Sequence, residues 1–357
     1  MIKYRKNDGL RYYFQDKVES EDHHVASKYG LEYEFPTVTC DWLDKFSSFE
    51  KYIAKYHKNV DLGIAVSGDG LLTDHGPEHI NSVMRHVVDI MLDPWLLTGY
   101  EMFILMYAIH FHDLGNITGR LEHEGKIREV MAKMVDRLDM SPTERQVIRG
   151  IAMAHGGYVD RDKDTIRYLD KSFTYGNAGI RPQVLAAVLR FADEVSDDLC
   201  RSDFEGIDIP DANKIFHAYS KSLTPISVKG DTIRLTYSIS YEQTQKKIPG
   251  PKGDVYLYDE ILNRLEKMMM ELEYCRKYSE GMIRITTLDI EIHIFDGEDE
   301  IKDVIPPFRL TLQGYPDRNY VDLEYYREKS ENQRHNNVIK YVTGEKLQKN
   351  LCSRQAN

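Results

Sequence analysis

Apolar side chains recur at helical spacing through the first two hundred or so residues and then switch to alternation. Between Asp41 and about His57, Trp42, Phe46, Phe49 and Ile53 fall on one helical face, and a glycine-rich stretch from Gly63 to Gly70 ends the run. Pro77 suits the first turn of a second helix, whose apolar face is Ile80, Val83, Met84, Val87, Val88 and Met91 and which should stop before Asp93-Pro94. Tyr100 to Phe111 is apolar nearly all round, as a helix buried among others must be. Glu122 to Leu138 carries Ile127, Val130, Met131, Met134 and Leu138 at the same spacing. Ser141-Pro-Thr-Glu144 then has the form of a capping box, predicting a helix that runs to Met153 and closes at His155-Gly156-Gly157. Pro182 opens a further helix with Val184, Leu185, Val188, Leu189 and Ala192 inside.

Beyond about Asp203 the period changes. Thr232 to Ser240 and Ile283 to Ile294 alternate apolar and polar residues and read as half-buried strands, with Arg309 to Leu312 as a third. Between the first two lie a Lys/Pro/Gly loop, Lys246 to Gly253, and a helix from about Val255 to Tyr278, in which Met268-Met269-Met270 reads as core. The expected fold is mainly α: an all-helical domain over residues 41–203 and an appended, smaller α+β domain over 204–315. Residues 1–40 form a polar N-terminal segment without a clear period, and 316–357 a polar tail. There is no internal repeat and no low-complexity segment.

The length of 357 residues allows one large core or two moderate ones, and 41% hydrophobic with 29% charged residues is an ordinary globular composition. A formal net charge of −11 disfavours a grip on long nucleic acid, which asks for a basic surface; a small anionic ligand needs only a local positive patch and a metal. Cys40, Cys200, Cys275 and Cys352 are far apart, with no Cys-x-x-Cys pair, so a reducing cytoplasm is the expected setting. The N-terminus lacks an apolar signal core, and no apolar run approaches a membrane span.

His112-Asp113 closes the apolar helix. His79 lies upstream in Thr73-Asp-His-Gly-Pro-Glu-His, and Asp193 downstream in Leu189-Arg-Phe-Ala-Asp. His79, His112, Asp113 and Asp193 would set two imidazoles and two carboxylates around one divalent ion, a donor set that suits Mn²⁺, Fe²⁺, Co²⁺, Zn²⁺ or Mg²⁺. His123 and His155 could hold a second ion bridged to the first by Asp113, although a helix start and a helix stop also account for them. A metal pair of this kind acidifies a water, aims it at phosphorus and neutralises phosphoryl charge. His75 either packs at the helix start or donates to a substrate phosphate. His110, two residues from His112, points to another helix face and reads as a core histidine. Arg120 and Lys126 flank His123, Arg161 and Lys163 follow His155, and Asp197 comes one turn after Asp193; of these, Arg120, Lys126, Arg161 and Asp197 are the substrate-binding candidates.

The ordered set His79, His112-Asp113 and Asp193 on successive helices resembles the HD superfamily of metal-dependent phosphohydrolases over about residues 70–200. The local contexts His79 with Val83, His-Asp-Leu-Gly, and Arg190-Phe-Ala-Asp-Glu add to the likeness. The resemblance implies an all-α HD-type domain, a mono- or dinuclear metal centre, hydrolysis of phosphate esters or anhydrides, and frequent homo-oligomers. His123 and His155 look like the extra ligands of the dinuclear branches. Asn116 stands where many relatives carry lysine, no Gly-Tyr-Pro triplet follows, and the His-Pro-Pro-Phe-Gly-His run of the deoxynucleoside triphosphate hydrolases is missing. The leading expectation is a hydrolase of a nucleotide, including (deoxy)nucleoside triphosphates, using a metal-bound hydroxide, with Asp113 and His75 as catalytic candidates. The alternatives are a phosphodiesterase or nuclease acting on cyclic or oligomeric nucleotides or single strands, for which the Lys246 to Lys252 loop could supply charge, and a metal-stabilised nucleotide sensor or scaffold without turnover.

Overall fold

A computed structural model describes residues 3–28, 38–60, 76–118, 123–175, 178–196, 209–312 and 343–355. Two units divide the chain: residues 1–69, 75–196 and 275–283 form the first, and 70–74, 197–274 and 284–357 the second. Among the described residues no helix is long and apolar enough to cross a membrane.

The helices of the first unit are α1 (Leu10–Lys28), α2 (Val38–His57), α3 (Pro77–Ile90), α4 (Gly99–Phe111), α5 (His123–Lys133), α6 (Pro142–Met153) and α7 (Pro182–Val195). All thirteen residues of α4 are buried, as its unbroken apolar run requires, so its polar outlet is its C-terminal end. Thr98 and Glu101 close a capping box at its start, with Thr98 Oγ1 accepting the Glu101 amide at 3.1 Å and Glu101 Oε2 the Thr98 amide at 3.0 Å. Ser141 and Glu144 do the same for α6, the box expected from the sequence. Phe46, Phe49 and Ile53 of α2 are buried, and Phe49 stacks on Tyr107 with centroids 4.1 Å apart. A hairpin of β1 (Phe173–Tyr175) and β2 (Ala178–Ile180), too short to show alternation, precedes α7.

The polar N-terminal segment holds a helix that its periodicity did not announce. Leu10, Phe14 and Val18 recur every fourth position among charged neighbours, and all three are fully buried in α1. Gly9, at φ +61, allows the chain to pass the backbone of α3, where a Cβ would collide with the Met84 carbonyl. Glu50 of α2 anchors this segment: Arg11 Nε lies 2.5 Å from its Oε1, and Tyr4 Oη donates to its Oε2 at 2.9 Å. Burial would raise the Glu50 carboxyl, but His110, whose Nε2 lies 3.8 Å from Oε1, and the Arg11 guanidinium hold it down at about 2. A carboxyl depressed on folding stabilises above its ordinary pKa and loses that contribution as pH falls towards the folded value. Glu50→Gln is therefore expected to cost about 2 kcal/mol near pH 7, with the gap to the native protein closing between about pH 4.5 and 2 in thermal or denaturant unfolding.

The second unit contains α8 (Lys214–Ser222), β3 (Ser227–Lys229), β4 (Thr232–Ser240), α9 (Tyr241–Gln245), most of α10 (Leu257–Tyr278), β5 (Thr287–Asp296), β6 (Asp299–Glu300), β7 (Phe308–Thr311) and α11 (Gly344–Gln355). Its sheet runs β3-β4-β5-β6, with β7 also on β5. The central pair β4 and β5 is parallel, from Thr232 opposite Thr287 to Ser240 opposite Phe295, and a parallel pair needs the long crossover that α9 and α10 provide. Ile233, Leu235, Tyr237 and Ile239 of β4 and Leu288, Ile290, Ile292 and Ile294 of β5 are the buried set, in the alternation read from the sequence. Met268 and Met269 lie in the core, while Met270 is 46% exposed. The strand expected from Ile283 begins at Thr287, because Ile283 bridges Met91 instead. The appended α+β architecture beside a helical unit is the expected fold class.

Candidate metal centre

Helix ends in the first unit deliver the candidate ligands. His79 is in the first turn of α3, His112 and Asp113 follow the last residue of α4, His123 begins α5, His155 lies just beyond α6, and Asp193 sits in the last turn of α7. At these positions a side chain leaves the apolar packing of its helix without giving up the helix. All are buried except Asp193, which is half-buried.

The side chains converge as two groups that share one residue. In the first, His79 Nε2 lies 3.1 Å from Asp193 Oδ1, 3.6 Å from Asp113 Oδ2 and 3.2 Å from His112 Nε2. His112 Nε2 is 3.3 Å from Asp113 Oδ2 and 3.5 Å from Asp193 Oδ1. In the second group the other Asp113 oxygen, Oδ1, lies 3.3 Å from His123 Nε2 and 3.7 Å from His155 Nε2, and the two imidazole nitrogens are 3.4 Å apart. Within each group the donor atoms all fall within 4.8 Å of one another.

The surrounding backbone sets which nitrogen faces inward. His112 Nδ1–H donates to the Ile109 carbonyl and His155 Nδ1–H to the Ala152 carbonyl, both at 2.6 Å. Each bond turns the Nδ1 proton away from the cluster, so that the ring, once neutral, presents its Nε2 lone pair inward, the arrangement of a ligating histidine. The end of α6 is held in turn by buried Arg190, whose Nη1 donates to Thr165 Oγ1 at 3.1 Å while Thr165 Oγ1 donates to the Ala154 carbonyl at 2.8 Å. Asn116 Nδ2 donates to Asp113 Oδ1 at 3.1 Å; the Asn116 side chain is fully buried, and among the described residues its Oδ1 has no hydrogen-bond partner.

Electrostatics make the first group a cation site. Burial would push His112 down, but Asp113 and Asp193 beside it raise it to about 10. Burial would raise Asp193, and its bonds to His112 and His79 hold it well below the usual carboxylate range. His155, by contrast, is lowered to about 4, first by burial and then by the neighbouring His112 charge, so its ring is neutral. One buried and one half-buried carboxylate around two inward-facing nitrogens 3.2 Å apart favour a positive charge between them, and a divalent ion meets that requirement with four donors where a proton uses two. The residues present therefore fit a metal.

Not every candidate joins the cluster. Arg161 is exposed in the turn after His155, with φ +68, and Lys126 is half-buried on α5. His75, Arg120 and Asp197 lie outside the described residues. His110 is buried with Nδ1 3.0 Å from His57 Nε2 and its ring edge-on to Phe49, in the core as its helical position suggested. Sequence reasoning passed over Glu124, whose Oε2 is 3.4 Å from His123 Nδ1; its signal was adjacency to a histidine ligand candidate and the glycine pair after His155.

No curated protein and no solved structure matches the chain. Residues 69–267, over half of the chain and including all six residues of the cluster, match the HD-CE family, and the protein is a member of that family.

Proposed function

We propose that the two groups hold a pair of divalent ions and that the protein hydrolyses a phosphate ester or anhydride of a nucleotide, (deoxy)nucleoside triphosphates included. His79, His112, Asp113 and Asp193 would hold one ion, and Asp113, His123 and His155 the other. The observation that carries this reading is Asp113, whose Oδ2 faces the first group and whose Oδ1 faces the second. The buried HD-type cluster fits a metal-dependent hydrolase.

Bound there, Mn²⁺, Fe²⁺, Co²⁺, Zn²⁺ or Mg²⁺ would supply an acidified water and neutralise charge on phosphoryl oxygens. The chain's own residues prepare the place. The Ile109 and Ala152 carbonyls fix His112 and His155 as neutral ligands, Asn116 orients Asp113, and burial of five of the six side chains keeps bulk water from screening the charges. Asn116 Oδ1, which has no hydrogen-bond partner among the described residues, offers an acceptor to a water or hydroxyl beside Asp113.

The test is product analysis of a pool of nucleoside triphosphates, monophosphates, cyclic and linear oligonucleotides after incubation with Mn²⁺. The native chain is expected to release phosphate, pyrophosphate or nucleoside, and His112→Ala/Asp113→Ala is not. Release of nucleotides from the cyclic or oligomeric substrates alone would move the assignment to a phosphodiesterase or nuclease. Ligand binding with no turnover, with Co²⁺ as well as Mn²⁺, would replace the hydrolase with a sensor.

A further inference from the structure

The Gly156-Gly157 pair closes α6, but a helix stop needs only one residue of positive φ, and Gly157, at φ +68, fills that role. Gly156 has an ordinary φ, so backbone conformation does not explain it. Its surroundings do. A Cβ on Gly156 would lie 2.8 Å from Glu124 Oε1, and one on Gly157 3.1 Å from the Glu124 carboxyl carbon. The pair thus opens a notch in which the Glu124 carboxylate sits, and the other Glu124 oxygen is 3.4 Å from His123 Nδ1. The Glu124 side chain is 18% exposed, well below what a glutamate in the first turn of a surface helix shows when it only complements the helix dipole.

His123 differs from His112 and His155 in a way that gives this notch a purpose. Those two rings are set by carbonyls of their own helices, three residues back. His123 is the first described residue of α5, and its Nδ1 lies 3.4 Å from the carboxylate of Glu124. That carboxylate belongs to the adjacent residue, and it holds its place only if the chain after His155 leaves room.

We infer that Glu124, seated in the Gly156-Gly157 notch, is a positioning residue for His123 and sets the occupancy of the His123/His155 half of the centre. This rests on the two-ion reading above. Glu124 fixes the ring so that Nε2 faces Asp113 Oδ1, and it raises the basicity of the ring by accepting from Nδ1–H. The notch makes the dependence mutual, because crowding at Gly156 displaces the carboxylate and thereby releases the ring.

Metal stoichiometry of the full-length protein after Mn²⁺ loading and desalting, with Mn²⁺ EPR to detect a spin-coupled pair, tests the inference. The native protein is expected to hold two ions and show the coupled signal. Glu124→Ala should bind the second ion about 10- to 100-fold more weakly, with the first retained and the EPR signal that of an isolated ion. Gly156→Ala should show the same loss, and Glu124→Gln, which keeps an acceptor oxygen, should recover much of it. The double variant Glu124→Ala/Gly156→Ala should be no worse than Glu124→Ala, since the added methyl then has nothing to displace. Circular dichroism melts identify any variant that has lost its fold. Glu124→Ala holding two coupled ions with native affinity overturns the inference and leaves the two-ion reading standing. Additive losses in the double variant overturn the notch. A native protein that never holds more than one ion overturns both.

Discussion

Under the proposed two-ion phosphohydrolase reading, Asp113→Asn should strip the protein of both ions and lower phosphohydrolysis by about 10³-fold or more, beyond the 10- to 100-fold typical of residues behind the ligands. The change removes one charge and alters almost no volume, so packing around the buried side chain is kept. It removes the anionic character of Oδ1 and Oδ2 together, and these oxygens face different groups. Asp193→Asn is the matched control. Among the described residues its Oδ1 faces His79 and His112 and not the second group, so the same change of charge should cost the first ion and spare the second. Elemental analysis of the two variants after identical loading separates the outcomes. Equal stoichiometry in Asp113→Asn and Asp193→Asn would remove the bridging role of Asp113.

Arg181→Ala should be the most destabilising substitution far from the centre, costing about 3–5 kcal/mol, because it leaves a buried carboxylate without its counter-charge. Glu101 is 1% exposed and receives Arg181 Nε at 2.8 Å and the Arg181 amide at 3.1 Å on Oε1, with Nη2 at 2.7 Å on Oε2. A lysine cannot reproduce this fork, so Arg181→Lys should recover only part of the loss. Arg181→Ala/Glu101→Gln should be less destabilised than the sum of the single changes, since the neutral amide no longer needs the guanidinium. Denaturant midpoints at constant slope measure all three effects. The pair ties the starting ends of α4 and α7, while the far ends of the same helices carry His112-Asp113 and Asp193. Over the eleven residues from Glu101 to His112 the helix rise is about 17 Å, and a clamp at that distance is expected to influence where the two ends that carry candidate ligands emerge. Metal stoichiometry that stays at the native value in folded Arg181→Ala would confine the pair to stability.

What could be read from residues alone was what obeys a period or a local rule. The apolar run of α4, the Ser141 box, the proline starts of α3 and α7 and the alternation of β4 and β5 all survive as elements, with ends shifted by a few residues. The six histidines and aspartates were legible because their order along successive helix ends limits where they can meet. The N-terminal helix escaped because its three buried residues are spread among charges and its remaining faces are polar. The β1-β2 hairpin escaped because three-residue strands carry no alternation, and α8 because its nine residues give too few turns to establish a face. Glu124 was passed over for a different reason: beyond its adjacency to His123, what singles it out is its neighbours in space, Gly156 and Gly157, more than thirty residues away in the chain. A glycine pair announces a stop, and only the folded chain shows what the missing side chains make room for.

The placement of every candidate ligand at a helix end has an electrostatic consequence of its own. Unsatisfied carbonyls give a helix C-terminus about half a negative charge, and unsatisfied amides give an N-terminus about half a positive one. His112 and Asp113, His155 and Asp193 sit at or just past the closing turns of α4, α6 and α7, whereas His79 and His123 sit in the opening turns of α3 and α5. Three negative poles and two positive poles therefore converge on one small volume. The negative poles deepen the well for a cation, and the positive poles favour an anion held against it. The peptide backbone by itself already carries the field that a metal phosphate complex would match.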